Sequence, residues 1–391
     1  MIPPTRKPGV HLAQLDGLRA IAALFVVLHH IYLQFDFSHE TGAVYRVLNL
    51  FRFGHYAVDL FIVLSGFCLM LPIVRGDGML RGGIGRFYLK RARRILPPYY
   101  LAIGCSLLLI WLLIGARTGT HWDYSVPVDF KGLVLHLLLL EDAANNMQIN
   151  HVLWSVAVEW RIYFLFPFLV LAFRRYGPIA TTAITVFTTY MLWLGLALSP
   201  VKHIVNTNPW GISPYYIGLF AMGMLAASIA YSESGFLGIW KRPSFWASTC
   251  AVTGLVVIAL SREWHGHKLP LHAMSFFVGC FSLAVLVWVT VHPHGWAGRL
   301  LAWRPLVFIG TFGYSLYLMH APLIQVIWQY GTHPLRLSPI SEFAVLSLVG
   351  LPLILAGCYL FFLVCERPFL NTGRRKGLAE TERDAALSPA P

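Results

Sequence analysis

Residues 15–30 read LDGLRAIAALFVVLHH. The run is apolar for long enough to begin crossing a hydrocarbon core of about 30 Å as a helix, yet it carries Arg19, His29 and His30. Apolar runs near 20 residues recur along the rest of the chain. We place ten spans, at 15–34, 56–74, 97–115, 152–173, 179–198, 214–231, 245–261, 272–291, 307–328 and 343–364. The composition agrees: of 391 residues 57% are hydrophobic and 12% charged, with a mean hydropathy of +0.64, against about 25% charged in a soluble domain. These features predict an all-α, polytopic membrane helical bundle of about ten transmembrane helices.

A net charge of +13 would suggest nucleic acid in a soluble protein, but the placement of the basic residues argues against that partner. With the N-terminus inside, 20 of the 30 Lys and Arg fall in inner segments, 8 in outer loops and 2, Arg19 and Arg161, within spans. The positive-inside rule then places both termini in the cytoplasm, in a multi-pass protein of the inner (plasma) membrane. The first span has no small-residue cleavage site after it and is not expected to be a removable signal. No loop is long enough to fold alone, so residues 1–370 are expected to form one membrane domain, followed by a polar, disordered tail at 371–391. Within the outer segment 116–151, the apolar run 130–140 is too short to span and reads as an interfacial or re-entrant helix. The six cysteines lie in spans without metal-ligand spacing and read as packing residues.

Charge inside a bilayer costs at least about 2.5 to 3.5 kcal/mol per residue, so each such group needs a partner or a function. Arg19 and His30 are eleven residues apart, which puts them within about 20° of one helical face and roughly 16 Å apart along the axis. Asp16 precedes Arg19 by one turn and can pair with it; His29 points about 100° away. Counting depth at about 1.5 Å per residue brings His30, Glu159 of the fourth span and His320 of the ninth to a similar level. Asp59 opens the second span. Ser155, Glu159 and Tyr163 share one face at i, i+4 and i+8. One reading is a structural hydrogen-bond network; the other is a water-accessible site with a titratable base. The inner loop RGGIGRFYLKRARRILPPYY can bind a phosphate-bearing cofactor or lipid headgroups, and its glycines lack a phosphate-loop ending. The pairs His265 with His267 and His292 with His294 read as solvated loops, and no metal is expected.

Five pieces in this order resemble the acyltransferase-3 family of integral membrane acyltransferases. Arg19, ten intervening residues and His30 match its hallmark. GHYAVDLFIVLSGFCL matches at Asp59 and at Ser65 to Phe67. RARRILPPYY carries Arg91, Arg94, Pro97 and Tyr99. LWSVAVEW carries Trp154, Ser155 and Glu159, and GYSLYLMHAPL carries Tyr314, Ser315, Tyr317 and His320. The closing ERPF, Glu366 to Phe369, fits the usual family ending, whereas Ala157 stands where serine is common and His29 doubles the histidine. Some members carry a fused SGNH hydrolase-like domain, which is not expected within these 391 residues.

The resemblance implies acyl-CoA, most often acetyl-CoA, as cytoplasmic donor and a glycan or lipid-linked sugar hydroxyl of the cell envelope as acceptor. Membrane lipids are the other partners. It implies His30 as general base or transient acyl carrier, with Glu159 orienting or charging it. Arg91, Arg94, Arg19 and Tyr99 then belong at the donor, and His29, Asp59, Ser65, Trp154, Ser155, Tyr314, Tyr317 and His320 line the site. The rival class is a glycan or lipid transporter without covalent chemistry, whose paired broken helices in two related halves are not evident. A non-catalytic envelope scaffold is the third class.

Overall fold

The structure is a computed structural model that describes residues 12–80, 82–199, 212–231, 240–261 and 271–370. The expected tail 371–391 and the pair His265 and His267 lie outside the described residues. Among the described residues there is no strand. Among the described residues eight helices are long and apolar enough to cross a membrane, nine if a bent pair counts as one span, and the 17-residue apolar helix Tyr215–Tyr231 covers the remaining expected span. The protein is a multi-pass helical bundle.

Helix α1 (Ala13–Tyr32) is the axial element. It runs from an end that carries Arg19, here the arginine end, to one that carries His29 and His30, the histidine end. The short α2 (Gly42–Leu48) leads into α3 (Tyr56–Val74), and α4 (Gly83–Leu109) returns from the arginine end with Arg91 and Arg94 in its first half. Helix α5 (Phe130–Leu137) is the short apolar helix of the connecting segment, and α6 (Trp154–Tyr176) descends from the histidine end to Arg174 and Arg175. Next come α7 (Pro178–Leu198), α8 (Tyr215–Tyr231), α9 (Pro243–Ser261) and α10 (Leu271–Val291). The chain closes with α11 (Trp296–Leu301), α12 (Arg304–Thr311), α13 (Gly313–Ile327), α14 (Pro339–Val345) and α15 (Leu351–Phe361).

Without a hydrophobic drive between helices in lipid, close backbone approach has to supply the packing. Glycines permit it where α3 crosses α8: a Cβ on Gly66 would lie 2.1 Å from the Phe220 carbonyl oxygen, and one on Gly223 would lie 1.8 Å from that of Val63. The same device seats α1 on α12, where a Cβ on Gly310 would meet the Asp16 carbonyl at 2.0 Å. Between α12 and α13 the chain bends by 76°. The bend frees amides at the start of α13, and the buried Glu366 carboxylate accepts from the Ser315 amide (3.1 Å) and hydroxyl (2.6 Å). A negative charge at a helix N-terminus is favourable.

The segment between α5 and α6 folds down into the bundle. Glu141, Asp142, Asn150 and His151 are buried. Tyr99 donates to Glu141 Oε1 (2.9 Å) and to the His136 carbonyl (3.0 Å), Arg161 pairs with Asp142, and Asn150 Nδ2 donates to the Leu318 carbonyl (2.9 Å). These bonds satisfy polar groups that hydrocarbon could not.

Candidate active site

At the arginine end α1, α3, α4, α6, α12 and α13 enclose a cavity of about 140 Å³, lined on its polar side by Arg19, Arg91, Arg94, Ser65, Ser155, Glu159, Tyr163, Tyr314 and Tyr317. Arg19 is ion-paired with Asp16, one turn before it as the sequence suggested. Gly313 leaves room for it, since a Cβ there would sit 3.3 Å from the Arg19 stem. Arg91 and Arg94 repel each other across the α4 face, and Glu159 attracts both Arg19 and Arg91. Three guanidinium groups thus face two carboxylates, an excess of positive charge suited to a polyanionic ligand.

The hydroxyls form a directed chain. Tyr163 donates to the Glu159 carboxylate, so Ser65 Oγ, 3.0 Å from the Tyr163 oxygen, is the donor to it. Deeper in, Ser155 Oγ donates to Tyr317 OH at 2.6 Å, and Tyr314 OH donates to the Ile95 carbonyl at 3.1 Å.

Behind the Ser155–Tyr317 pair lie the histidines. The rings of Tyr317 and His320 are 5.8 Å apart, and those of His320 and His30 are 5.0 Å apart. His320 Nδ1–H donates to the carbonyls of Leu316 (3.0 Å) and Tyr317 (2.8 Å), which leaves Nε2 as an acceptor with no hydrogen-bond partner among the described residues. His30 Nδ1 lies 3.5 Å from His151 Nε2. Ser125 Oγ accepts from the His151 amide (3.1 Å) and lies 3.0 Å from its Nδ1; with Nδ1 as donor, His151 Nε2 presents a lone pair to His30. His121 completes the group, its ring 4.7 Å from that of His151. Burial holds the His121 imidazole down at about 4 and His151 well below the usual range, so both are neutral near pH 7.

Several expected positions fall elsewhere. Glu159 has no hydrogen bond to His30 among the described residues. The count of depth from the outer edge assumed that the fourth span starts at the bundle surface, but α6 starts inside it, because the segment before it dips. His151, Ser155 and Glu159 follow at successive turns, which puts Glu159 about 12 Å below His151 and at the level of the arginines. Tyr99 is not part of the cavity wall. It is fully buried against Glu141, because five residues from Arg94 turn an α-helix by about 140°. Asp59 is buried and directed toward Ser275 and the α8 tyrosines, and Trp154 stacks on His55 at 5.4 Å. His29 Nδ1–H donates to the Phe51 carbonyl at 2.7 Å, so His30 is the histidine of the pair that faces His320. His151 escaped the sequence reading, although it sits one turn before Ser155 on the same face. His121 lies in a turn with no periodicity to mark it.

The chain is similar to a putative peptidoglycan O-acetyltransferase of Bacillus subtilis, 25% identical over 331 residues, 80% of this chain and 49% of that one. It is 24% identical to the O-acetyltransferase OatA of Staphylococcus aureus, over 82% of this chain and 52% of that one. With the peptidoglycan O-acetyltransferase OatA of Listeria monocytogenes it shares 22% identity over 82% and 51%. It therefore spans about half the length of the curated relatives it matches. Residues 12–363, nearly the whole described bundle, match the acyltransferase domain of the acyltransferase-3 type, and the chain belongs to that family of membrane acyltransferases.

Proposed function

We propose that the protein moves an acyl group, in the first instance acetyl, from acyl-CoA at the arginine end to a hydroxyl of a cell-envelope glycan or lipid-linked sugar reaching in from the histidine end. The observation that carries this reading is the division of the interior: a cationic cavity on one side, neutral imidazoles on the other, with Tyr317 and His320 between them. Arg91, Arg94 and Arg19 would hold the phosphates of coenzyme A on the cytoplasmic side, with the thioester directed toward Ser155 and Tyr317. His30 takes the proton of the acceptor oxygen as that oxygen attacks the thioester carbonyl, and the thiolate of coenzyme A leaves and is protonated. With His151 Nδ1 donating to Ser125, the 3.5 Å contact with His151 Nε2 would favour the His30 proton on Nδ1 and leave Nε2 to act as base. The names of two of the relatives point to a peptidoglycan-type acceptor.

The test is acetyl transfer to cell-wall glycan in membranes carrying His30→Ala. Loss of a general base costs on the order of 10²- to 10⁴-fold, while His29→Ala retains most of the rate. Undiminished transfer by His30→Ala overturns the assignment.

A further inference from the structure

Beyond the cationic cavity there is a second chamber, at the histidine end. It holds about 10 Å³ of free space and is bordered by His30, Gln34, His121, Trp122 and His151. That is room for about one water molecule or one ion. Three imidazoles, from α1, from the 3-10 turn His121–Ser125 and from the segment before α6, bring one nitrogen each to within 4.8 Å of the other two.

We propose that His30, His121 and His151 form a site for a divalent transition metal of the zinc type, and that an ion bound there switches the enzyme off. Two zinc-bound nitrogens at about 2.0 to 2.1 Å in a tetrahedron are about 3.3 Å apart. His30 Nδ1 and His151 Nε2 already stand at 3.5 Å. His121 is only partly buried on its short turn, so side-chain rotation can close the remaining gap. Ser125 gives His151 the outer hydrogen bond that commonly fixes a metal-ligating imidazole, with Nδ1–H outward and the Nε2 lone pair inward. Three histidines supply three of the four tetrahedral positions, the protein ligand count of non-structural zinc sites.

The consequence follows from the tautomer. Binding through His30 Nδ1 requires a lone pair on that atom, so its proton moves to Nε2 and no proton is released. An Nε2–H cannot accept the proton of an acceptor hydroxyl. The inhibitory half of the proposal rests on His30 as base; the metal site itself does not.

The test uses the full chain, purified in detergent and stripped with chelator. Cobalt(II) is titrated in, and the visible absorption of a tetrahedral site is expected to saturate near one ion per chain and to vanish on addition of zinc. His121→Asn and His151→Ala should weaken binding by about tenfold or more, with thermal melts showing both variants folded, whereas the exposed-turn variant His333→Ala binds as the parent does. Zinc at saturation should suppress acetyl transfer, EDTA should restore it, and His121→Asn, normalised to its own metal-free rate, should need about tenfold more zinc. No tetrahedral absorption, or binding unchanged in folded His121→Asn, overturns the site and leaves the base assignment intact. Tight cobalt binding with transfer unaffected by zinc overturns the switch, and with it the role given to His30.

Discussion

Arg161→Met should loosen the segment that delivers His151 to His30. Arg161 donates from both terminal nitrogens to the Asp142 carboxylate and also to the Leu139 carbonyl at 3.1 Å. The two partners are unequally placed, with side-chain exposures of 36% for Arg161 and 0% for Asp142. Removing one member of a fully buried pair costs about 3 to 5 kcal/mol, because the other charge is left in low dielectric. Arg161 is partly solvated and water can reach its vacated place, so we expect about 1 to 3 kcal/mol. Asp142→Asn alone leaves a partly exposed arginine and should cost less. A double-mutant cycle by thermal melting in detergent should show coupling of about 1 kcal/mol or more between the two positions. Acetyl transfer should fall with Arg161→Met, because His151 and the start of α6 lose their anchor. Strict additivity, or full activity in Arg161→Met with lowered stability, would refute the claim that this ion pair positions the site.

Replacing Arg91 and Arg94 singly by Gln should raise the KM for acyl-CoA by about 10- to 100-fold with a smaller change in kcat, since each charge-assisted contact to phosphate contributes about 1.5 to 3 kcal/mol; initial rates at varied donor concentration measure this. Burial pushes the Glu141 carboxyl up to about 8 from 4.5. A raised acid is favoured protonated in the fold, so stability declines from pH 4.5 up to about pH 8, by as much as about 1.4 kcal/mol per pH unit. Glu141→Gln, which still accepts from Tyr99, should flatten the dependence of Tm on pH over that window; an unchanged slope counts against it. Tyr317→Ala should join the cavity to the histidine chamber and admit water to the thioester, so thiol release from acetyl-CoA without acceptor should rise severalfold; no rise would mean that Tyr317 is not the partition.

The bundle was legible because long apolar runs have one stable solution in a membrane, and each of the ten expected spans corresponds to a helix or the bent pair. Local registers were legible too: Asp16 pairs with Arg19, Ser155 and Glu159 line one cavity, and His30 meets His320. What the sequence hid were depths and directions that depend on tertiary contacts. Glu141, Asp142 and Asn150 look like solvated loop residues, yet Tyr99, Arg161 and the Leu318 carbonyl draw them inside, and this lowers the start of α6 by turns that counting could not foresee. Tyr99 belongs to the same stretch as Arg91 and Arg94 but faces away from them. The bend at Phe312 left no proline to mark it; glycines on either side, at 310 and 313, permit it by letting α1 approach.

The ten residues between Arg19 and His30 acquire a meaning from this arrangement. In the proposed transfer, a donor with several negative charges and an uncharged sugar hydroxyl need opposite surroundings, one cationic and one able to hold a neutral base. A protonated base beside three guanidinium groups would be disfavoured by like charge, so the imidazole cannot do its work at the arginine level. About 16 Å along one helix separates them. That is a span a flexible thioester arm can bridge and a phosphate group need not cross. Glu159 then belongs with the arginines, where it offsets their charge and orders Tyr163. In that proposal, holding His30 passes to His151, 3.5 Å away, a neutral group that would take a hydrogen bond without binding the proton the reaction has to pass on.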